Sequence, residues 1–139
     1  MTAPTPASVS YTLTRADLVR YADASGDLNP IHLSPSAAEA AGLPGVVVHG
    51  MLLMGLALRA VTRWAGDPAH VRNCTARFLQ PVTVPEDSPV VIDVEAAPGP
   101  ATLTGDAVVE LRVRCAGRLA ARLSAVVRVG FQHGSTTAS

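Results

Sequence analysis

The spacing of apolar residues changes period twice along the chain. Val9 to Leu13 (VSYTL) alternates as a short strand does. From Thr14 onward the period lengthens: Leu18, Tyr21 and Ala22 fall at i, i+3 and i+4, predicting a helix with Thr14 as N-cap, Asp17 as its capping-box acid and Gly26 as its stop. Ser34-Pro35 and Gly42 bracket a second, short helix. A third opens at His49-Gly50 and ends at Gly66 and Pro68. Its first half is apolar on every face, which predicts burial all round until Arg59 and Arg63 mark where it emerges. Gly55 and Ala57 are its expected points of close approach to a sheet.

Beyond Pro68 the strand pattern returns over Val71–Leu79, Pro89–Glu95, Thr102–Val113 and Leu119–Val129. Pro81, Pro85, a Pro98-Gly99-Pro100 turn and Gly117 punctuate these runs. Long strands without intervening helices predict an antiparallel sheet, and so an α+β fold in which a curled sheet wraps around one long buried helix. Residues 1–139 read as a single domain, with 1–7 and 134–139 as flexible tails.

Composition adds constraints. The 139 residues are 48% hydrophobic, 16% charged and only 4% aromatic. An aliphatic core with apolar surface to spare predicts an oligomer. Eleven basic residues balance eleven acidic ones, leaving no electrostatic footprint for nucleic acid. Every basic residue is Arg; the absence of Lys excludes a Schiff-base lysine and a P-loop. Cys74 and Cys115 lack any CxxC spacing and read as small inert hydrophobes. The start MTAPTPASVS has neither the basic nor the apolar region of a secretory signal, and the longest apolar run, Met51–Leu58, falls short of the ~20 residues of a membrane span. A cytoplasmic protein without membrane association is expected.

One stretch is dense in chemistry: Tyr21-Ala-Asp-Ala-Ser-Gly-Asp-Leu-Asn-Pro-Ile-His32. Asp27 and His32 together can accept one proton while delivering another, as adding or removing water requires. They share no helix face, so the turn at Asn29-Pro30 has to bring them together. The same residues also read as an Asx-turn aspartate and a structural histidine at a helix entry. Gly50 at the opening of the long helix leaves N–H groups at the positive end of the dipole for a developing enolate oxygen, or else serves close packing; His49 reads as scaffold. Asp23 reads as a surface residue. His32, His49, His70 and His133 show no HxH or i, i+4 pairing, so no metal site is expected. Arg59, Arg63, Arg72 and Arg77 form either a landing patch for an acidic partner or nucleotide phosphate, or a solvated face.

The residues Tyr21 and Ser25-Gly26-Asp27-Leu28-Asn29-Pro30-Ile31-His32, followed by His49-Gly50-Met51, resemble the signature of the MaoC-like, hydratase-2 family of (R)-specific enoyl hydratases and dehydratases. The resemblance runs from Thr12 to Glu86. Within the family, YADASGDLNPIH, HGMLLMG and VTRWAGDP look most like the catalytic B subunit type of (3R)-hydroxyacyl-ACP dehydratase. It implies a single hot-dog fold, Asp27 and His32 as a catalytic dyad, Asn29 as the residue that positions their loop, and the backbone amides of Gly50 and Met51 as the oxyanion site. It further implies reversible syn dehydration of a (3R)-hydroxyacyl thioester to the trans-2-enoyl thioester, on acyl-ACP or acyl-CoA, with no cofactor or metal, in a homodimer or a heterodimer with a second hot-dog subunit. A hot-dog acyl thioesterase is the first alternative, weakened because the helix from His49 to Gly66 carries no acid. A non-catalytic subunit of a dehydratase heterodimer is the second, weakened by the intact Asp27, Asn29 and His32.

Overall fold

The computed structural model describes residues 8–101 and 103–128; the two expected tails, 1–7 and 134–139, therefore lie outside the described residues. A first strand, β1 (Val9–Leu13), leads into α1 (Arg15–Ser25). Thr14 and Asp17 form the reciprocal capping box, and Gly26 ends the helix in the left-handed conformation at φ 77°. The Thr14 N–H and the Arg20 guanidinium hold the Asp17 carboxyl below the usual carboxylate range. A single 3₁₀ turn, Pro30–His32, precedes α2 (Pro35–Ala40), which Ser34 caps and Pro35 opens. Then come α3 (Gly50–Ala65) and four strands: β2 (Val71–Phe78), β3 (Val90–Ala101), β4 (Asp106–Cys115) and β5 (Arg118–Arg128).

The strands form one antiparallel sheet in the order β1-β3-β4-β5-β2, against which α3 packs through β2, β3, β4 and β5. This is the hot-dog arrangement. Alternation sets the inner face: Ile92, Val94, Val109, Leu111, Val113, Leu123, Ala125 and Val127 are buried while the residues beside them in their strands are not. Leu53, Ala57, Ala60 and Val61 of α3 close the same core.

Three expectations change. The hairpin turn expected at Pro98-Gly99-Pro100 lies inside β3, and β4 begins at Asp106 rather than Thr102. β1 pairs only with Val90–Val94, so the two prolines fall where β3 has no described neighbour on that side, and the ladder to β4 is interrupted between Pro98 and Ala101. Proline is tolerated at such an edge because its missing N–H has no strand to bond. Second, α3 is not buried all round. One face meets the sheet, while Met51 is 62% exposed and Gly55 is exposed with nothing within 4 Å of a built Cβ. A single sheet covers a single helix face, so apolar residues on the other faces of α3 stay partly or fully exposed. Third, Gly55 is therefore no point of close approach, whereas Ala57 is fully buried as expected.

Cys74 and Cys115 are free, and burial pushes both thiols up, with the Asp93 carboxylate adding to the effect at Cys115. Both are thus kept as thiols, in line with an inert role. No described helix is long and apolar enough to cross a membrane.

Leu111 lies at the centre of the inner face and is 1% exposed. Leu111→Ala is expected to lower unfolding free energy by about 2–5 kcal/mol in denaturant titration. Leu103→Ala, at an exposed turn, is expected to change it by less than about 0.5 kcal/mol.

Candidate active site

The loop between α1 and α2 is built by local side-chain bonds. Asp27 N–H donates to Ser25 Oγ at 3.1 Å, Asn29 N–H to Asp27 Oδ1 at 3.2 Å, and Ile31 N–H to Asn29 Oδ1 at 3.3 Å. Pro30 presets the first residue of the 3₁₀ turn that carries His32. Asp27 is thus the Asx-turn residue foreseen as one reading. Its other oxygen serves the second reading: Oδ2 lies 4.0 Å from His32 Nε2. One carboxylate holds the turn with Oδ1 and faces the imidazole with Oδ2.

His32 is tied to the scaffold through its other nitrogen. Nδ1 lies 2.7 Å from the Val47 carbonyl. A carbonyl only accepts, so Nδ1 carries the proton and neutral His32 presents the Nε2 lone pair toward Asp27. Val47 N–H returns a bond to Ile31 O at 3.2 Å. The segment 46–48 is itself anchored, with Val48 N–H on Val82 O and Val84 N–H on Val46 O, both at 2.9 Å. His32 is buried, whereas the Asp27 side chain is half exposed. At 4.0 Å the two groups are too far apart for a direct hydrogen bond and leave room for a bridging water or a substrate hydroxyl.

His49, expected to be scaffold, belongs to this cluster. Its ring stacks on His32 with centroids 3.8 Å apart and planes inclined by 21°, and Tyr21 meets it edge-on at 4.7 Å. Its Nε2 donates to the Asp27 carbonyl at 3.2 Å, which leaves Nδ1 an unprotonated acceptor, buried and without a partner. Burial, and secondarily the neighbouring His32, push the His49 proton affinity below the ordinary histidine value, with the Asp27 contacts opposing. The chain carried no signal for this stack beyond the adjacency of His49 to Gly50.

Asp27, His32 and His49 offer ligand atoms all within 4.8 Å of one another, a gathering that their spacing in the chain did not foretell. A chelated ion has to lie near the plane of each imidazole at about 2.0–2.1 Å. The stacked planes of His32 and His49 converge only far from both rings. The cluster is therefore disposed as an array of proton donors and acceptors rather than as a chelate.

α3 begins one residue after His49. Gly50 and Met51 N–H groups make no hydrogen bond to a described residue, as befits the first turn of a helix whose N-cap side chain is engaged elsewhere. Gly50 also packs closely: a Cβ there would stand 3.1 Å from Phe78 Cζ. Its packing reading is thus realised beside its free amide. Phe78, which the sequence reading did not single out, joins Val48, Gly50, Leu53 and Leu79 in an apolar groove of about 340 Å³. Asp27 and His32 do not line that groove; it reaches the site at Gly50.

A pH dependence follows from His49. Above about 6.5, the ordinary histidine value, folded and unfolded states are both neutral there. Below it the unfolded chain takes up the proton first, so stability falls as pH drops from 6.5 toward the lowered folded value. Tm measured from neutral to mildly acidic pH is expected to fall through this window, and to fall less in His49→Phe.

The MaoC like domain profile matches residues 2–110. The chain is 42% identical over 82 residues to 3-hydroxyacyl-thioester dehydratase X of Mycobacterium tuberculosis, covering 59% of this chain and 28% of that protein. It is 40% identical over 60 residues to the peroxisomal enoyl-CoA hydratase 2 of Arabidopsis thaliana, covering 42% and 19%. Each match spans less than a third of the relative's own length. A solved MaoC-like dehydratase superposes with a TM-score of 0.86 at 30% identity, over 94% of this chain and 41% of that one. On the profile match across most of its length, with the hot-dog architecture to accompany it, this chain belongs to the MaoC-like dehydratase family.

Proposed function

We propose that the chain is a single hot-dog unit that reversibly dehydrates a (3R)-hydroxyacyl thioester to the trans-2-enoyl thioester, with Asp27 and His32 as the acid–base pair. The observation that carries this reading is the opposition of Asp27 Oδ2 and His32 Nε2 across 4.0 Å, with His32 held in one tautomer by Val47. Similarity to proteins named 3-hydroxyacyl-thioester dehydratase X and enoyl-CoA hydratase 2 supports the reaction class.

In the elimination, the pair starts with one proton between them: the unprotonated member removes the Cα proton while the protonated member gives its proton to the departing 3-hydroxyl, so the pair ends with one proton again. The Cβ–O bond breaks, the Cα=Cβ bond forms, and water leaves; hydration is the reverse. Two groups 4.0 Å apart can reach only one face of a substrate placed against them, which suits a syn process. Negative charge developing on the thioester oxygen falls to the Gly50 and Met51 amides, reinforced by the positive end of α3. Asn29 positions the pair by capping the turn on which His32 rides. Every step uses this chain's own groups.

A second hot-dog chain, identical or not, covers the open face of α3, where Met51 is exposed and the Gly50 groove needs a further wall. The acyl group rides on coenzyme A or on a carrier protein. Two unpaired thiols suit a reducing compartment, and we place the reaction in the cytoplasm.

Asp27→Asn and His32→Asn are each expected to lower kcat by about 10²–10⁴-fold, followed as enoyl-thioester absorbance with (3R)-hydroxybutyryl thioester, while circular dichroism stays unchanged. Near-normal turnover in both variants would sink the assignment, and thiol release without enoyl absorbance would point to a thioesterase. Sedimentation equilibrium is expected to give the mass of two chains. A chain monomeric and inactive alone, but active with a second hot-dog subunit, identifies the heterodimer; a fully active monomer removes the second chain from the proposal.

A further inference from the structure

His49 has a side chain that neither of its local duties explains. It stands at the N-cap of α3, where Ser, Thr, Asp or Asn ordinarily accepts a hydrogen bond from the first turn, yet its ring makes no capping bond. The position is also a core position, 1% exposed, and there the imidazole leaves Nδ1 buried without a partner among the described residues. An apolar ring would fill the same place without that cost. Residues that break a local rule mark places kept for function.

What the imidazole does instead is touch both members of the proposed pair. Its face lies on His32, with ring centroids 3.8 Å apart and planes inclined by 21°. Its edge reaches Asp27, where Nε2–H donates to the main-chain carbonyl at 3.2 Å. Tyr21 closes edge-on against the same ring at 4.7 Å, which limits its freedom to turn. The main chain of His49 then runs directly into Gly50 and Met51, whose amides open α3.

The two members do not depend on this ring equally. His32 has a second anchor, Nδ1 on the Val47 carbonyl at 2.7 Å, and Val47 N–H holds Ile31 O close by. Asp27 has no such anchor: its N–H goes to Ser25 Oγ and its Oδ1 takes the Asn29 N–H, both within the loop. Among the described residues, the bond from His49 is the only hydrogen bond that ties Asp27 to the chain outside that loop. The Asp27 side chain is half exposed, so packing does not fix it either.

We propose that His49 is the positioning residue of the acid–base pair: lying on His32 while holding the Asp27 main chain, it sets the 4.0 Å between Asp27 Oδ2 and His32 Nε2, and through it the rate of the chemical step. The proposal rests on the reading of Asp27 and His32 as that pair. His49 takes no proton in the reaction and acts through its two neighbours. Misplacing a reacting group by about 1 Å is enough to lower a rate about 10²-fold. Burial also pushes the His49 proton affinity down, which favours an uncharged ring beside His32 when His32 takes up the shared proton.

Two substitutions separate the two contacts. His49→Phe keeps a ring against His32, removes the donor to Asp27 and removes the unpaired nitrogen, so it is expected to be the more stable variant. His49→Gln places an amide N–H near the position of Nε2 and gives up the stack. Turnover is followed as enoyl-thioester absorbance with the (3R)-hydroxybutyryl thioester of coenzyme A or of an acyl carrier protein, Tm by circular dichroism, and the Asp27–His32 separation in crystal structures of wild type and both variants. His49→Phe is expected to lose about 10²-fold in kcat with KM within about twofold of wild type, and His49→Gln to regain about tenfold of that loss in spite of its lower Tm. A side chain that served stability alone would rank activity with Tm, the Phe variant above the Gln variant, and that order overturns the proposal. So does a kcat near the wild-type value in His49→Phe, or a loss that falls in KM alone.

The crystal structures need no turnover. The Oδ2–Nε2 separation is expected to stay near 4.0 Å in His49→Gln, and to widen by about 0.5–1 Å or more in His49→Phe. An unchanged separation in His49→Phe, or equal widening in both variants, overturns the proposal. Should wild type dehydrate neither thioester, the dehydratase reading fails by itself and the separation alone decides: widening confined to His49→Phe still upholds His49 as the tie between Asp27 and His32.

Discussion

The hydrogen bond from His32 Nδ1 to the Val47 carbonyl, at 2.7 Å, is the constraint on which the site depends. It selects one tautomer of His32 and so decides that Nε2 faces Asp27. It also joins the polar loop to the buried segment 46–48, whose own bonds run to Val82 and Val84 and whose continuation is the start of α3. One contact thereby relates Asp27 and His32 to the helix terminus. Without it, the loop would still be tied down by Val47 N–H on Ile31 O and by His49 Nε2 on the Asp27 carbonyl, but nothing would fix which nitrogen of the His32 ring faces Asp27.

Around that bond the structure accepts local cost. His49 is buried with one nitrogen unpaired, a position worth about 1–3 kcal/mol in lost hydration. Two imidazoles stacked face to face disfavour a positive charge on both, and burial lowers the proton affinity of His49. What this arrangement secures is order: Tyr21 braces His49, His49 lies against His32 and holds the Asp27 backbone. A side chain that reads as scaffold in the sequence is thus part of the frame that orients the pair.

The two faces of the sheet divide the remaining work. The inner face gives the core and, past Gly50 and Phe78, an apolar groove. It covers only one side of α3, which leaves the rest of an apolar helix turned outward. The outer face is polar, and there cross-strand register sets Arg77, Arg122 and Arg112 in line. Register is a property of the paired strands, so a row of this kind is invisible until the sheet is assembled.

Much of this was legible along the chain because it is local. Capping by Thr14 and Asp17, the left-handed stops at Gly26 and Gly66, the Ser34-Pro35 entry and the alternation of β4 and β5 depend on residues a few positions apart. The dense stretch from Tyr21 to His32 marked the site for the same reason, and its residue pattern carried the family resemblance. Local rules could not choose between a turn and a pairing with His32 at Asp27; the tertiary structure gives Oδ1 to the turn and sets Oδ2 4.0 Å from His32 Nε2. Nor could they show that the prolines at 98 and 100 lie within β3, since their tolerance depends on where β1 ends. Helix apolarity predicted burial but not by what, because burial is a relation between surfaces rather than a property of a segment. The sequence by itself determined the elements, the fold class and the identity of the chemical groups, all encoded at short range. Only the tertiary structure decided which nitrogen of His32 faces the acid, that His49 stands behind it, and which arginines stand together, because each of these depends on contacts between residues far apart in the chain.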